Sequence, residues 1–124
     1  MDYNHIITQD LSLIDALRRI NSIKSDPLVL FVVDTDDRMV GTLTDGDSRR
    51  ALIAGFSVDN PIKKVMHRDF NFLRKGVNDD VHHLQELKKK KMKLVPLLDE
   101  DNRIVEIVNL ERFVTRLPVD AVLM

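Results

Sequence analysis

Two near-continuous apolar runs organise the chain: Leu28-Val29-Leu30-Phe31-Val32 and, 65 residues on, Lys93-Leu94-Val95-Pro96-Leu97. Runs of this kind predict strands covered on both faces, as in small sheets flanked by helices. Each leads into a polar turn and a second apolar stretch. Val33-Asp34-Thr35-Asp36-Asp37-Arg38-Met39-Val40 is repeated as Leu98-Asp99-Glu100-Asp101-Asn102-Arg103-Ile104-Val105. An apolar strand, an Asp/Asn-rich turn and a second strand make a hairpin in both places. Leu13, Leu17 and Ile20 fall at helical spacing before the first hairpin, as Val81, Leu84 and Leu87 do before the second. Short helices are predicted after the hairpins, over 45–54 and 110–116. The predicted unit is helix, strand, strand, helix, used twice.

One such unit of roughly 60 residues is marginal alone, and two can complete a shared core. Between the hairpin units, over 55–75, Asn60-Pro61 starts a turn or short helix and Phe70-Asn71-Phe72 is predicted as a small strand. No flexible linker or low-complexity segment separates the halves. The chain has 124 residues, 44% apolar and 31% charged, enough for a core within a soluble surface. A net charge of -1, from 19 basic and 20 acidic residues, gives no long-range attraction to nucleic acid or anionic membrane. The absence of cysteine removes disulfides and thiolate chemistry and fits a cytoplasmic location. No apolar run approaches a membrane span, and the N-terminus lacks the pattern of a signal peptide.

The string from Val33-Asp34 to Val40-Gly41-Thr42-Leu43-Thr44-Asp45-Gly46-Asp47, followed by a helix, resembles the signature of a CBS domain. Val65-Met66 resembles the short segment that opens a second repeat, and the likeness covers residues 5–117. The resemblance implies a mixed α/β (α+β) fold of two CBS repeats packed with pseudo-two-fold symmetry, the first over 1–60 and the second over 61–117. It also implies a homodimer and an adenine-type nucleotide (AMP, ADP or ATP) or S-adenosylmethionine bound between repeats as a regulatory ligand.

Thr44 and Asp47 stand in the spacing of a helix-capping box, which serves the fold whether or not anything binds. The same geometry suits a ligand. A helix start presents free N–H groups and a positive dipole end to phosphate, Thr44 adds a hydroxyl, and Asp47 can accept from ribose hydroxyls. Gly41 and Gly46 allow close backbone approach. In CBS proteins the matching Ser/Thr contacts phosphate and the matching Asp contacts ribose. The second repeat reads Glu106-Ile107-Val108-Asn109-Leu110-Glu111-Arg112 at the aligned place. Asn109 can still cap, but Glu106 adds bulk and charge, and Arg112 offers no acceptor. At most one well-formed nucleotide site is expected, around Gly41, Thr44 and Asp47.

In the lysine run 88–93, Lys93 either reaches phosphate across the cleft or belongs to a solvated helix end. Arg49 and Arg50 carry the same two readings. His5, His67, His82 and His83 lack metal-binding order, and the acidic turns lack the calcium-loop pattern, so no metal is expected. No nucleophile elbow, phosphate loop or complete dinucleotide fingerprint is present, so this stretch is not expected to be an enzyme. Pro118-Val119-Asp120-Ala121-Val122-Leu123-Met124 resembles the first strand of sugar-phosphate nucleotidyltransferases, so 118–124 is expected to begin a catalytic domain of that type, similar to a mannose-1-phosphate guanylyltransferase. The leading expectation is a nucleotide-binding regulatory module for that domain; the alternative is a structural dimerisation module with no ligand.

Overall fold

In the computed structural model, the residues described are 3–24, 27–76, 85–87, 89–90 and 92–110. The chain divides into two compact units, Met1–Phe70 and Asn71–Met124. In the first, β1 (Ile6–Thr8) leads through α1 (Leu13–Ser22) to β2 (Val29–Val33), then β3 (Met39–Thr44) and α2 (Asp45–Ile53). In the second, β4 (Leu73–Arg74), β5 (Leu94–Leu98) and β6 (Ile104–Asn109) form the sheet. The strand orders are β1-β2-β3 and β4-β5-β6, parallel in the first pairing and antiparallel in the second of each. The architecture is mixed α+β with one small sheet per unit, in agreement with the expected class.

The hairpins repeat in detail. Asp34 Oδ1 accepts from the N–H groups of Asp36 (2.9 Å) and Arg38 (3.0 Å), and Asp99 Oδ1 accepts from Asp101 (2.8 Å) and Arg103 (3.0 Å). These side chains imitate a backbone turn, the reason Asp recurs at such sites. The fourth turn residue takes a left-handed conformation in both, Asp37 at φ 64° and Asn102 at φ 66°, within the small set of residues that tolerate it. A register shift follows at Val32/Val33 and again at Leu97/Leu98.

The two short strands β1 and β4 stand outside the helix-strand-strand-helix unit read from the sequence. The strand expected at Phe70-Asn71-Phe72 lies instead at Leu73–Arg74, and Pro96 accounts for the absence of Phe72 from it. β1 pairs three residues, beginning Ile6↔Phe31, whereas β4 pairs two, beginning Leu73↔Leu97. Thr42, opposite Phe31, sends its N–H and C=O outward to His67, so the Phe31 N–H faces β1. Pro96 occupies the matched place opposite Ile107. It has no N–H to offer, so the ladder on the β4 side is one pair shorter.

Alternation on β3 buries Met39, Gly41 and Leu43 in turn, while β2 is buried along nearly its whole length. The first core gathers Ile7, Leu13, Ala16, Ile20, Leu30 and Leu43, and the second Leu73, Leu87, Val95, Val108 and Leu110. Ser12 and Asp15 form a complete capping box at the start of α1. The compact units part after Phe70. Ile62 and Met66 are buried in the first core, with Val65 packed against it. The Ile62 N–H also donates to the Leu11 carbonyl at 2.8 Å. A 3-10 helix, Ile62–Lys64, follows Pro61 as the Asn60-Pro61 signal implied. Of the second helical pattern only Leu87 is described; it lies in a helical stretch and is buried. Val81, Leu84, residues 111–116 and the stretch 118–124 lie outside the described residues.

Candidate functional site

The two helix starts of the first unit differ in what covers them. At α1, the N–H groups of Leu13 and Ile14 donate to the carbonyls of Asn60 (2.8 Å) and Val58 (2.9 Å), so the chain itself closes that end. At α2, Thr44 is extended (φ -101°, ψ 169°) and caps the helix. The Asp47 N–H donates to Thr44 Oγ1 at 3.0 Å, and the Thr44 N–H donates to Asp47 Oδ2 at 3.0 Å. The Asp45 N–H goes to the Leu28 carbonyl at 3.2 Å. Among the described residues no partner is found for the Gly46 N–H, which lies between these two. The α2 start thus has a half-buried hydroxyl, a half-buried carboxylate and an open N–H on a residue with no side chain. An anion placed there would meet that N–H and the positive end of the helix dipole.

Burial alone would raise the Asp47 carboxyl. The Arg50 guanidinium and the Thr44 N–H and hydroxyl donate to it, Arg50 adds its charge, and together they hold it below the usual carboxylate range. Asp47 is therefore a carboxylate at neutral pH, an acceptor only, as hydrogen bonds from a diol require. Arg50 donates to Asp47 Oδ1 at 2.7 Å. Arg49 is paired with Asp45 one turn back.

Gly41 has a packing reason of its own. A Cβ there would lie 2.8 Å from Met66 Sδ and 2.9 Å from the His67 carbonyl oxygen, contacts real Cβ atoms do not make. The close approach at Gly41 is to the protein's own segment, where Thr42 and His67 exchange hydrogen bonds of 2.9 and 2.8 Å. At Gly46 a Cβ would come 3.2 and 3.3 Å from the two terminal nitrogens of Arg50. The structure brings Thr44, Gly46 and Asp47 together, with Gly41 further back along β3. Lys93 is exposed at the entrance to β5 in the second unit, its carbonyl accepting from the Leu110 N–H at 2.8 Å.

The sequence alignment of the halves is matched in register. Gly41 pairs with Val32 as Glu106 pairs with Leu97, and Thr44 with Val29 as Asn109 with Leu94. Glu106 is exposed. Arg112, the expected counterpart of Asp47, lies outside the described residues. His5 is buried with Nδ1 2.8 Å from the Val29 carbonyl oxygen. Among the described residues no group of three or more His, Asp or Glu side chains could hold a metal ion, and no helix is long and apolar enough to cross a membrane.

The family model for the CBS domain matches residues 3–53, the stretch that carries the Thr44–Asp47 box. Arabinose 5-phosphate isomerase GutQ of Escherichia coli O6:H1 is 31% identical over 87 residues, covering 69% of this chain and 27% of the isomerase. The Shigella flexneri protein of that name is 28% identical over 82 residues. The chain spans about a quarter of the length of the curated relatives it matches. Among solved structures, the cystathionine beta-synthase pair domain of a Shewanella oneidensis MR-1 protein superposes with a TM-score of 0.72 at 18% identity, over 86% of this chain and 60% of that one. CBSX2, solved in complex with AMP, superposes with a TM-score of 0.69 at 20% identity, over 90% of this chain and 87% of that one. The fold is that of a CBS pair.

Proposed function

We propose that this chain is a regulatory module that binds an adenine nucleotide at the start of α2 and biases the activity of an attached sugar-phosphate enzyme. The observation that carries the reading is the α2 start, where the capped Thr44, the open Gly46 N–H and the ionised Asp47 stand together. Phosphate takes the Gly46 N–H and the Thr44 hydroxyl, which turns to it from Asp47, and ribose hydroxyls donate to Asp47. Gly41 contributes by letting β3 and the 66–67 segment close behind the site, and the exposed Lys93 is kept as a proposed phosphate contact. The AMP complex of CBSX2 supports the ligand class. A module of this kind acts only if the ligand prefers one of two states of the protein.

The nucleotidyltransferase reading of 118–124 and the isomerase relatives name two chemistries for the attached enzyme. Both act on sugar phosphates, and the reading frame after Met124 separates them. A homodimer in the cytoplasm completes the proposal.

Calorimetric titration with AMP, ADP, ATP and S-adenosylmethionine, on wild type and Asp47→Ala, tests the reading. Saturable binding of an adenine nucleotide that is lost in Asp47→Ala supports it. No binding by wild type would leave the box as a cap and the module as a structural one.

A further inference from the structure

The two oxygens of Asp47 have separate duties. Oδ2 is held by the Thr44 N–H as part of the cap, and Oδ1 is taken by the Arg50 guanidinium at 2.7 Å. Gly46 leaves room for the second contact, since the terminal nitrogens of Arg50 lie 3.2 and 3.3 Å from where its Cβ would be. The Arg50 side chain thus folds back over the first turn of its own helix. The Asp47 side chain is 22% exposed and that of Arg50 71%, so the acceptor is recessed and its cation is on the solvent side. A vicinal diol donating to both carboxylate oxygens must reach Oδ1 from the solvent side, which the guanidinium covers.

We propose that Arg50 is an affinity-setting residue, a competitor that occupies Asp47 Oδ1 in the unliganded protein and must release it when ribose binds. This inference rests on the reading of the Thr44–Asp47 box as a ligand site. The contact is an exposed ion pair between residues one turn apart, so its displacement costs little, and the expected effect is about two- to five-fold in affinity. The ion pair also predicts an unusual salt response. An uncharged nucleoside has no ionic contact of its own to lose, so screening the Arg50–Asp47 pair strengthens its binding.

The test is titration of adenosine, with AMP as second probe, into wild type, Arg50→Gln and Arg50→Lys at low and high sodium chloride. Arg50→Gln is expected to bind adenosine about two- to five-fold more tightly than wild type at low salt, with Arg50→Lys close to wild type. Added salt should bring wild type toward Arg50→Gln and leave that variant unmoved. Titration of the Asp47 carboxyl followed by NMR should rise toward the ordinary carboxylate range in Arg50→Gln with no ligand present. Adenosine affinity that is unchanged or weaker in Arg50→Gln, while AMP still binds wild type, overturns the competitor role and leaves the ligand site standing. Failure of adenosine and AMP to bind any of the three proteins overturns the site and the competitor together.

Discussion

In the first unit the outer edge of β3 is closed by the segment at Met66-His67, which rests on Gly41. In the second unit the matched strand, β6, carries an exposed Glu106 at that place. The hairpins beneath are nearly superimposable in chemistry, with the same Asp-anchored turn, left-handed residue and register shift. What the halves share is what the sheet needs. What only the first half has is Gly41, Thr44 and Asp47, and of these Gly41 is explained by packing. The comparison leaves Thr44 and Asp47 as the residues on which the proposed ligand site rests.

The sharpest way to break that comparison is to exchange the edge residues. Gly41→Glu should drive a side chain into Met66 and the His67 backbone, destabilising by about 3 kcal/mol. Glu106→Gly should cost only about 0.5–1 kcal/mol, from backbone freedom in the unfolded chain. Urea denaturation of both variants checks this, and equal costs would mean that the two edges are alike. Next in size is the site itself. Asp47→Ala should weaken nucleotide binding by about 1.5–3 kcal/mol through lost charge-assisted hydrogen bonds, read by calorimetry. Arg112→Ala should leave affinity nearly unchanged; comparable losses would place a site in each half.

Acid should reveal the same carboxylates more gently. Asp47, Asp34 and Asp99 all have folded-state pKa values below the 3.8 of a free aspartate. Their contribution is therefore complete above that value and lost as pH falls below it through the folded pKa. Melting midpoints should be level from neutral pH to about 5 and fall below about 4. Asp34→Asn and Asp99→Asn should each flatten part of that fall. The smallest effect is expected from Pro96→Val, which restores an N–H toward β4. One added hydrogen bond and the loss of proline's rigidity nearly cancel, leaving about 0.5 kcal/mol or less. Hydrogen exchange should nonetheless show the new amide at 96 protected and Phe72 drawn into the strand.

The hairpins were legible because every determinant is local. Asp34 to Arg38 and Asp99 to Arg103 specify their turns within five residues, and the apolar runs mark the central strands. β1 was not legible, since Ile6-Ile7-Thr8 has too few residues for a period and its partner Phe31 lies beyond a helix. β4 starts one residue later than its counterpart β1 because of a proline in a different strand. At the site, the Thr44–Asp47 box was read from spacing and is formed as read. The Arg50 contact was not, because an arginine three residues from an aspartate on a helix has many solvated alternatives. Nor was the reason for Gly41, which depends on where Met66 returns.

The Thr42–His67 pairing has a consequence for how the chain is made. The first unit cannot close β3, or seat Ile62 and Met66 in its core, until residue 67 has emerged from the ribosome. Domains form during synthesis as their residues become available. A nascent chain released at residue 60 would present an unfinished core and an open strand edge to its neighbours, an invitation to aggregate. One released at residue 70 would hold every piece of the first unit.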